Sequence, residues 1–373
     1  MTSGATPFPG PVAVVGVGLI GGSLGLALRA RAGVGEVRGV DPDPGALRRG
    51  LEVGAITHAV TSVEEACDGC AAVVVAAPVG EIAGIARRAL AASGPACLVT
   101  DVGSTKAGVV AALTAAERER FIGGHPVCGA ETGGVEHARE NLFERATWFL
   151  TPAPEAHGTL IETLHSIVVA VGARPVAVDA GAHDDLMALV SHLPHVVASA
   201  LIHQAAATAP GGREALRSAG PSFSDLTRVA GANPPLWADI LIENRDALAA
   251  ALRDQRARLQ EVEAALARSD RGWLLDWIAA AADGRERLRA AAATPAVERP
   301  WRLVVNVPNR PGVLSEITVA LGHAHVNIED LSLLPAPGDE GELALVVSGE
   351  DAARTAAAMV RDRGYAVRVE PET

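Results

Sequence analysis

The sequence predicts three successive folding units: a doubly wound α/β domain, an all-α domain suited to dimerisation, and a C-terminal ferredoxin-like βαββαβ domain. Three observations carry this. From Pro11 to about Val178, short β-branched runs alternate with alanine-rich stretches; beyond Asp179 strand signals give way to helical spacing; after the proline-bearing segment Thr294 to Pro300 strand signals return. The expected domains are 11–178, 179–294 and 301–373.

In the first unit, Val12–Val15, Val37–Val40, Val73–Ala76 and Leu98–Thr100 read as strands of a parallel sheet. Uninterrupted apolar runs suit strands covered by helices on both faces. In the second, Leu248, Leu252, Leu259, Val262 and Leu266 recur at helical spacing. Such long stripes exceed what one domain needs to cover, so part of this surface is expected to be buried in a homodimer. In the third, strands are expected at Arg302–Val307, Val326–Leu334, Leu343–Ser348 and Ala366–Val369, with helices at Gly312–Leu321 and Ala352–Arg363. The linker implies that this last unit folds apart from the rest and can be removed from Trp301 onward.

Composition narrows the function. The chain has 373 residues, 49% hydrophobic and 20% charged, as in a globular protein. No apolar run is expected to span a membrane, and Met1 to Gly10 lack the pattern of a secretory signal, so a cytoplasmic location is expected. A net charge of −12 disfavours nucleic acid as a partner, because its affinity rests on clustered Lys and Arg. Cys67 and Cys70 form a CxxC without a second pair, and no metal site is expected. Lys106 is the sole lysine.

Gly16-Val17-Gly18-Leu19-Ile20-Gly21 follows a predicted strand and opens an apolar helix, the context in which GxGxxG binds a dinucleotide. Gly16 permits the tight turn, Gly18 lets backbone approach a pyrophosphate, and Gly21 allows close helix packing. Asp41 ends the next strand, where a carboxylate accepts hydrogen bonds from ribose hydroxyls and repels a 2′-phosphate. The cofactor is therefore expected to be NAD, held by a Rossmann-like domain through Gly16, Gly18, Leu19, Ile20, Gly21, Asp41, Pro78 and Asp101.

Four further polar segments interrupt the apolar pattern: Asp101–Lys106, Gly124–Glu131, Ser191–His195 and Asp225–Arg228. Ser104 follows a strand and belongs at the carboxyl edge of the sheet, where ligands of open α/β folds sit; His125 follows the strand-like Phe121–Gly123 into the same crevice. Together with GVGLIGGSLG at Gly16–Gly25, these segments resemble the prephenate and arogenate dehydrogenase family over roughly Val12 to Ala291. The resemblance implies oxidative decarboxylation, with hydride passing to NAD, carbon dioxide leaving and the ring becoming aromatic. Within that reading His125 accepts the proton of the substrate hydroxyl, an ordinary task for a neutral imidazole. Ser104 hydrogen-bonds the same oxygen, and Arg228 clamps a substrate carboxylate with its planar fork.

His195 is expected at the substrate side chain. His192 lies three residues away on the same helical face, and the resemblance implies that Trp237 and Glu131 border the site. Lys106 is assigned to the substrate set because it adjoins the catalytic loop. Pro221-Ser222-Phe223 replaces the glycine-rich run that the family would place before Arg228. The choice between prephenate and arogenate stays open for that reason.

Val307-Pro308-Asn309-Arg310-Pro311-Gly312-Val313-Leu314 joins the first strand and helix of the C-terminal unit, and Val326-Asn327-Ile328 begins its second strand. These residues resemble the ACT family of amino-acid-binding domains from about Trp301 to Val369. That implies an effector, with tyrosine the obvious candidate, at Asn309, Gly312, Val313, Leu314, Asn327 and Ile328. Two rivals stand beside the dehydrogenase. One is a non-catalytic sensor of NAD and an amino acid; the other is a metal hydrolase built on His183-Asp184, a pair that equally suits a helix start.

Overall fold

The computed structural model describes residues 10–129, 132–208, 218–293, 299–308, 310–335 and 340–372. Glu131, Asn309 and most of the linker lie outside them. The first domain is built on eight strands: β1 (Val12–Val15), β2 (Val37–Val40), β3 (His58–Ala59), β4 (Ala72–Val75), β5 (Leu98–Asp101), β6 (Phe121–Pro126), β7 (Thr147–Pro152) and β8 (Arg174–Ala177). They form one sheet in the order β3-β2-β1-β4-β5-β6-β7-β8. All four residues of β1, β4 and β5 are buried, as strands sandwiched between helix layers must be. The chain crosses over between β1 and β4, which places a ligand crevice at their carboxyl ends.

The sheet is not wholly parallel. β6 and β7 pair antiparallel, with His125 directly opposite Phe149. β7 and β8 escaped the sequence reading because TWFLTP and RPVA carry prolines and little β-branched character. His125 consequently lies within β6 rather than after it.

From Ala180 to Ala293 the described chain is helical. Helix Ala180–Met187 runs through a wider π-type turn, Ala188–His192, into helix Leu193–Thr208. Contrary to expectation, the stretch Ala180–Ala207, with mean hydropathy 1.5, is long and apolar enough by length and composition to cross a membrane. It also carries the buried polar residues His183, Asp184 and His192, which tie it to the sheet and to Asn244. Its Leu186, Leu189 and Val190 are exposed, as are Ile242, Leu259 and Leu266 later in the helical domain.

The C-terminal domain has β9 (Pro300–Pro308), helix Val313–His323, β10 (Ile328–Pro335), β11 (Glu340–Ser348), helix Glu350–Asp362 and β12 (Ala366–Pro371). Its antiparallel sheet runs β10-β11-β9-β12, the ferredoxin-like order. This domain is not an independent bead. Its core is continuous with that of the first domain, Leu303, Leu314 and Leu321 clustering with Leu160, Ile161 and Leu164. At Gly322 a Cβ would fall 1.6 Å from the Ala177 carbonyl oxygen, so only glycine permits so close an approach. His165 Nε2 adds a hydrogen bond to the Ile328 carbonyl at 3.1 Å.

Candidate active site

At the end of β1, Gly16 has φ +101°, and a Cβ there would meet the Ala76 carbonyl oxygen at 2.3 Å. At Gly21 a Cβ would lie 1.9 Å from the Gly16 oxygen. Gly18 differs: nothing lies within 4 Å of the position its Cβ would take, immediately before helix Leu19–Arg31. That open cradle at a helix N-terminus fits a pyrophosphate. Asp41 braces the turn by accepting from Val17 N and Asp43 N, each at 2.8 Å. Each carboxylate oxygen retains capacity for a ribose hydroxyl. Pro78 stands exposed before helix Val79–Ala92 at the same edge.

Asp101 and Lys106 do not face this crevice. Both are fully buried and ion-paired, and Asp101 also accepts from Gly103 N at 2.9 Å and Gly124 N at 3.1 Å. Burial pushes the Lys106 ammonium pKa down, against the opposing pull of Asp101. Their expected roles, Lys106 toward substrate and Asp101 toward cofactor, are therefore corrected: the pair joins β5, the loop after it and β6 from within. Ser104, in that loop, is half-buried and keeps its place at the sheet edge.

The central arrangement is a chain of three side chains. His125 Nδ1 lies 2.8 Å from His183 Nε2, and His183 Nδ1 lies 2.8 Å from Asp184 Oδ1. Asp184 is fixed in turn by Lys106 N and Ala107 N, each 2.8 Å from a carboxylate oxygen. The network assigns the protons: His183 donates to the carboxylate through Nδ1, so its Nε2 accepts from His125 Nδ1–H. His125 Nε2 is left as a lone pair. Burial, then the neighbouring His183, Lys106 and His192, hold the His125 pKa well below its ordinary value. Burial also lowers that of His183, with Asp184 opposing.

Residues from the helical domain complete the surroundings. His195 stacks on Trp237, and His192 meets the same indole edge-on, so the two histidines do share a face. They differ in setting. His192 is buried, accepts from Asn244 Nδ2 at 3.0 Å and is pushed down to about 4 by burial. It is held from inside the domain, by Asn244 and against the indole. His195 Nδ1 donates to the Ser191 carbonyl at 3.2 Å, and its pKa is lowered by burial and then by the charge of Arg228. His195 and Trp237 line a cavity of about 420 Å³, and Arg228 is exposed beside them.

Sequence reasoning read His183-Asp184 as a metal-hydrolase rival or a helix start and did not link it to His125, because the two histidines are 58 residues apart and no spacing rule joins them. Asn244, which also donates to the Asp184 carbonyl at 2.8 Å, left no signal at all. The CxxC cysteines are buried and free, and burial raises Cys67 to about 12 and Cys70 to about 11, so both are inert thiols. In the C-terminal domain Val313, Leu314 and Ile328 bury their side chains in the core, which leaves their backbone as the part that could face an effector. Gly312 has φ +89° and packs on the Pro154 carbonyl, and Asn327 Nδ2 donates to Glu329 at 2.7 Å.

The chain matches three family models: the prephenate dehydrogenase nucleotide-binding domain over residues 24–177, the prephenate dehydrogenase dimerization domain over 179–280, and the ACT domain over 301–359. It is 32% identical to a prephenate dehydrogenase of Bacillus subtilis, covering 88% of this chain and 89% of that one. Among solved structures, prephenate dehydrogenase from Aquifex aeolicus in complex with hydroxyphenyl propionate and NAD+ matches with TM-score 0.72 and 28% identity, over 76% of this chain and 99% of that one. Synechocystis arogenate dehydrogenase matches with TM-score 0.65 and 27% identity, over 74% and 99%. With its first two domains and most of its length accounted for in this way, the chain belongs to the prephenate dehydrogenase family.

Proposed function

We propose that the protein is an NAD-dependent prephenate dehydrogenase, converting prephenate to 4-hydroxyphenylpyruvate in tyrosine biosynthesis. The observation that carries this is His125, held in a single tautomer by His183 and Asp184. Bound NAD supplies the hydride acceptor. His125 Nε2 takes the hydroxyl proton as the substrate C–O bond gains carbonyl character, and Ser104 hydrogen-bonds the same oxygen. Arg228 grips a substrate carboxylate, and His195 and Trp237 wall the substrate side chain. A sensor would need neither the aligned imidazoles nor the clamp.

Asp41 sets the cofactor, its carboxylate leaving no place for a 2′-phosphate. The apolar surface carried by Leu189, Val190, Ile242, Leu259 and Leu266 supports a homodimer. Four free cysteines fit a reducing cytoplasm. A tyrosine effector has a suitable cavity of about 380 Å³ between the domains, lined by Arg310, Ser315, Glu316 and Asp179. Arg310 suits the carboxylate of an amino acid, and the acids suit its ammonium.

The test follows NADH absorbance with prephenate and arogenate in parallel, each with NAD and NADP. Turnover of prephenate with NAD is expected to dominate. Preference for arogenate would make the protein an arogenate dehydrogenase, and absence of turnover with both would favour the sensor.

A further inference from the structure

A separate cavity of about 480 Å³ lies between the end of helix Val313–His323 and the edge of the large sheet. Its walls are Phe149, Val176, Val178, Ala182 and Leu186, and its other lining includes Thr147 and the imidazole-bearing His323 and His325. Arg174 donates to Thr147 Oγ1 at 3.4 Å, bringing a guanidinium to the rim. Among the described residues no carboxylate lines it. His325 has φ +57°, in the left-handed region where glycine usually follows a helix. An imidazole thus occupies a position that backbone preference alone would give to glycine.

The cavity wall is also the back of the catalytic relay. Phe149 is the cross-strand partner of His125, and its ring stands edge-on to His183 with centroids 5.3 Å apart. Ala182 immediately precedes His183 on the helix. Anything that moves Phe149 or Ala182 is felt by His183 without entering the crevice.

We propose that this cavity binds an aromatic monocarboxylate lacking an ammonium group, and that its occupancy changes turnover through Phe149 and His183. Apolar walls accept the ring, while Arg174 and the two imidazoles receive the carboxylate. An amino-acid zwitterion finds no carboxylate among the described lining residues to balance its ammonium here, unlike in the Arg310 cavity. The aromatic keto acid product of the proposed reaction belongs to the favoured class. For the effect on turnover, the inference rests on the dehydrogenase reading.

The experiment is calorimetric titration of the full chain with 3-phenylpropionate, and with phenylalanine as the zwitterionic counterpart, in an Arg228→Ala background that removes the carboxylate clamp of the crevice. Binding of 3-phenylpropionate is expected there. It should weaken at least about tenfold when Arg174→Ala and His325→Gly are combined, or when Val176→Trp fills the space. Glycine suits the His325 backbone, so loss in that variant is not a folding effect. In the Arg228-containing chain, 3-phenylpropionate should inhibit with a component that substrate does not overcome and that Val176→Trp removes. Undiminished binding in both cavity variants would overturn the site, and tighter binding of phenylalanine that Val176→Trp abolishes would overturn the ligand class, whereas phenylalanine bound in the Arg310 cavity survives that variant. Should the protein turn over neither prephenate nor arogenate, the calorimetric arm still decides the site.

Discussion

His125 Nδ1 and His183 Nε2 stand 2.8 Å apart, and Asp184 Oδ1 lies 2.8 Å from the far nitrogen of His183, so one carboxylate orients two imidazoles in series. In the proposed function His183 and Asp184 are positioning residues, and His125 is the one that meets the substrate. His125→Asn is expected to lower kcat by ~10²–10⁴, the usual range for losing a general base, with little change in KM. His183→Asn should lower kcat by a smaller factor, on the order of 10–10², because the tautomer is no longer fixed but the base remains. The pH profile separates this from a structural role. The depressed His125 pKa keeps the base neutral, so the acid limb of kcat should lie below pH 6.5 and should move in His183→Asn. An unchanged limb and unchanged kcat in that variant would remove His183 from the mechanism.

The Asp101–Lys106 pair predicts a different pattern. Both side chains are fully enclosed, so removing one charge strands the other. Lys106→Met should destabilise the protein by about 3–5 kcal/mol, and adding Asp101→Asn should restore much of the loss, because no uncompensated charge then remains. Denaturant unfolding of the two variants against the parent provides the measurement. Equal destabilisation by both would show that packing, not charge, governs the site.

Much of this architecture was legible because it rests on local pattern. GVGLIG after an apolar strand, with Asp41 after the next, places the cofactor cradle, and the proline-bearing segment before Trp301 marks the last domain. What stayed hidden depends on pairing at long range. β7 carries no clear strand pattern, so its antiparallel pairing, and with it the contact of Phe149 with the relay, had no local signature. Lys106 was noticed for its rarity, but sequence spacing does not distinguish an ammonium aimed at a ligand from one buried against Asp101. Val313 and Leu314 were assigned to an effector by motif, and their side chains are buried in the shared core, Leu314 against Gly158, a long-range contact that no local rule contains.

Acid should loosen the fold before the carboxylates titrate. His125, His165, His183 and His192 all have pKa values lowered chiefly by burial. Below pH 6.5 the unfolded chain binds protons that the folded chain refuses, so stability is full above that pH and declines as pH falls. For His192 the decline continues to about pH 4, its folded value. Thermal midpoints at pH 7, 6 and 5 should fall in order, and a flat profile across that range would contradict the buried neutral imidazoles.

The join between the first and last domains determines how regulation must be tested. A linker alone would allow the C-terminal domain to be cut away without consequence. The shared core, the His165–Ile328 hydrogen bond and the contact of Gly322 with Ala177 predict otherwise. A chain ending before Trp301 should expose the apolar side chains around Leu160, Ile161 and Leu164, and unfold at a lower temperature than the full chain. Loss of tyrosine inhibition in such a truncation would therefore say little about where tyrosine binds. Arg310→Ala in the full chain is the sharper variant, because it removes the carboxylate partner in the inter-domain cavity while leaving the shared core intact. If tyrosine acts there with a coupling of ~1–3 kcal/mol, it changes apparent substrate affinity by about 5–150-fold in the parent, and the change should vanish in Arg310→Ala. Tyrosine titrations at several prephenate concentrations measure this. Inhibition that persists in Arg310→Ala and is relieved by prephenate would place tyrosine in the catalytic crevice, competing at Arg228 and His195.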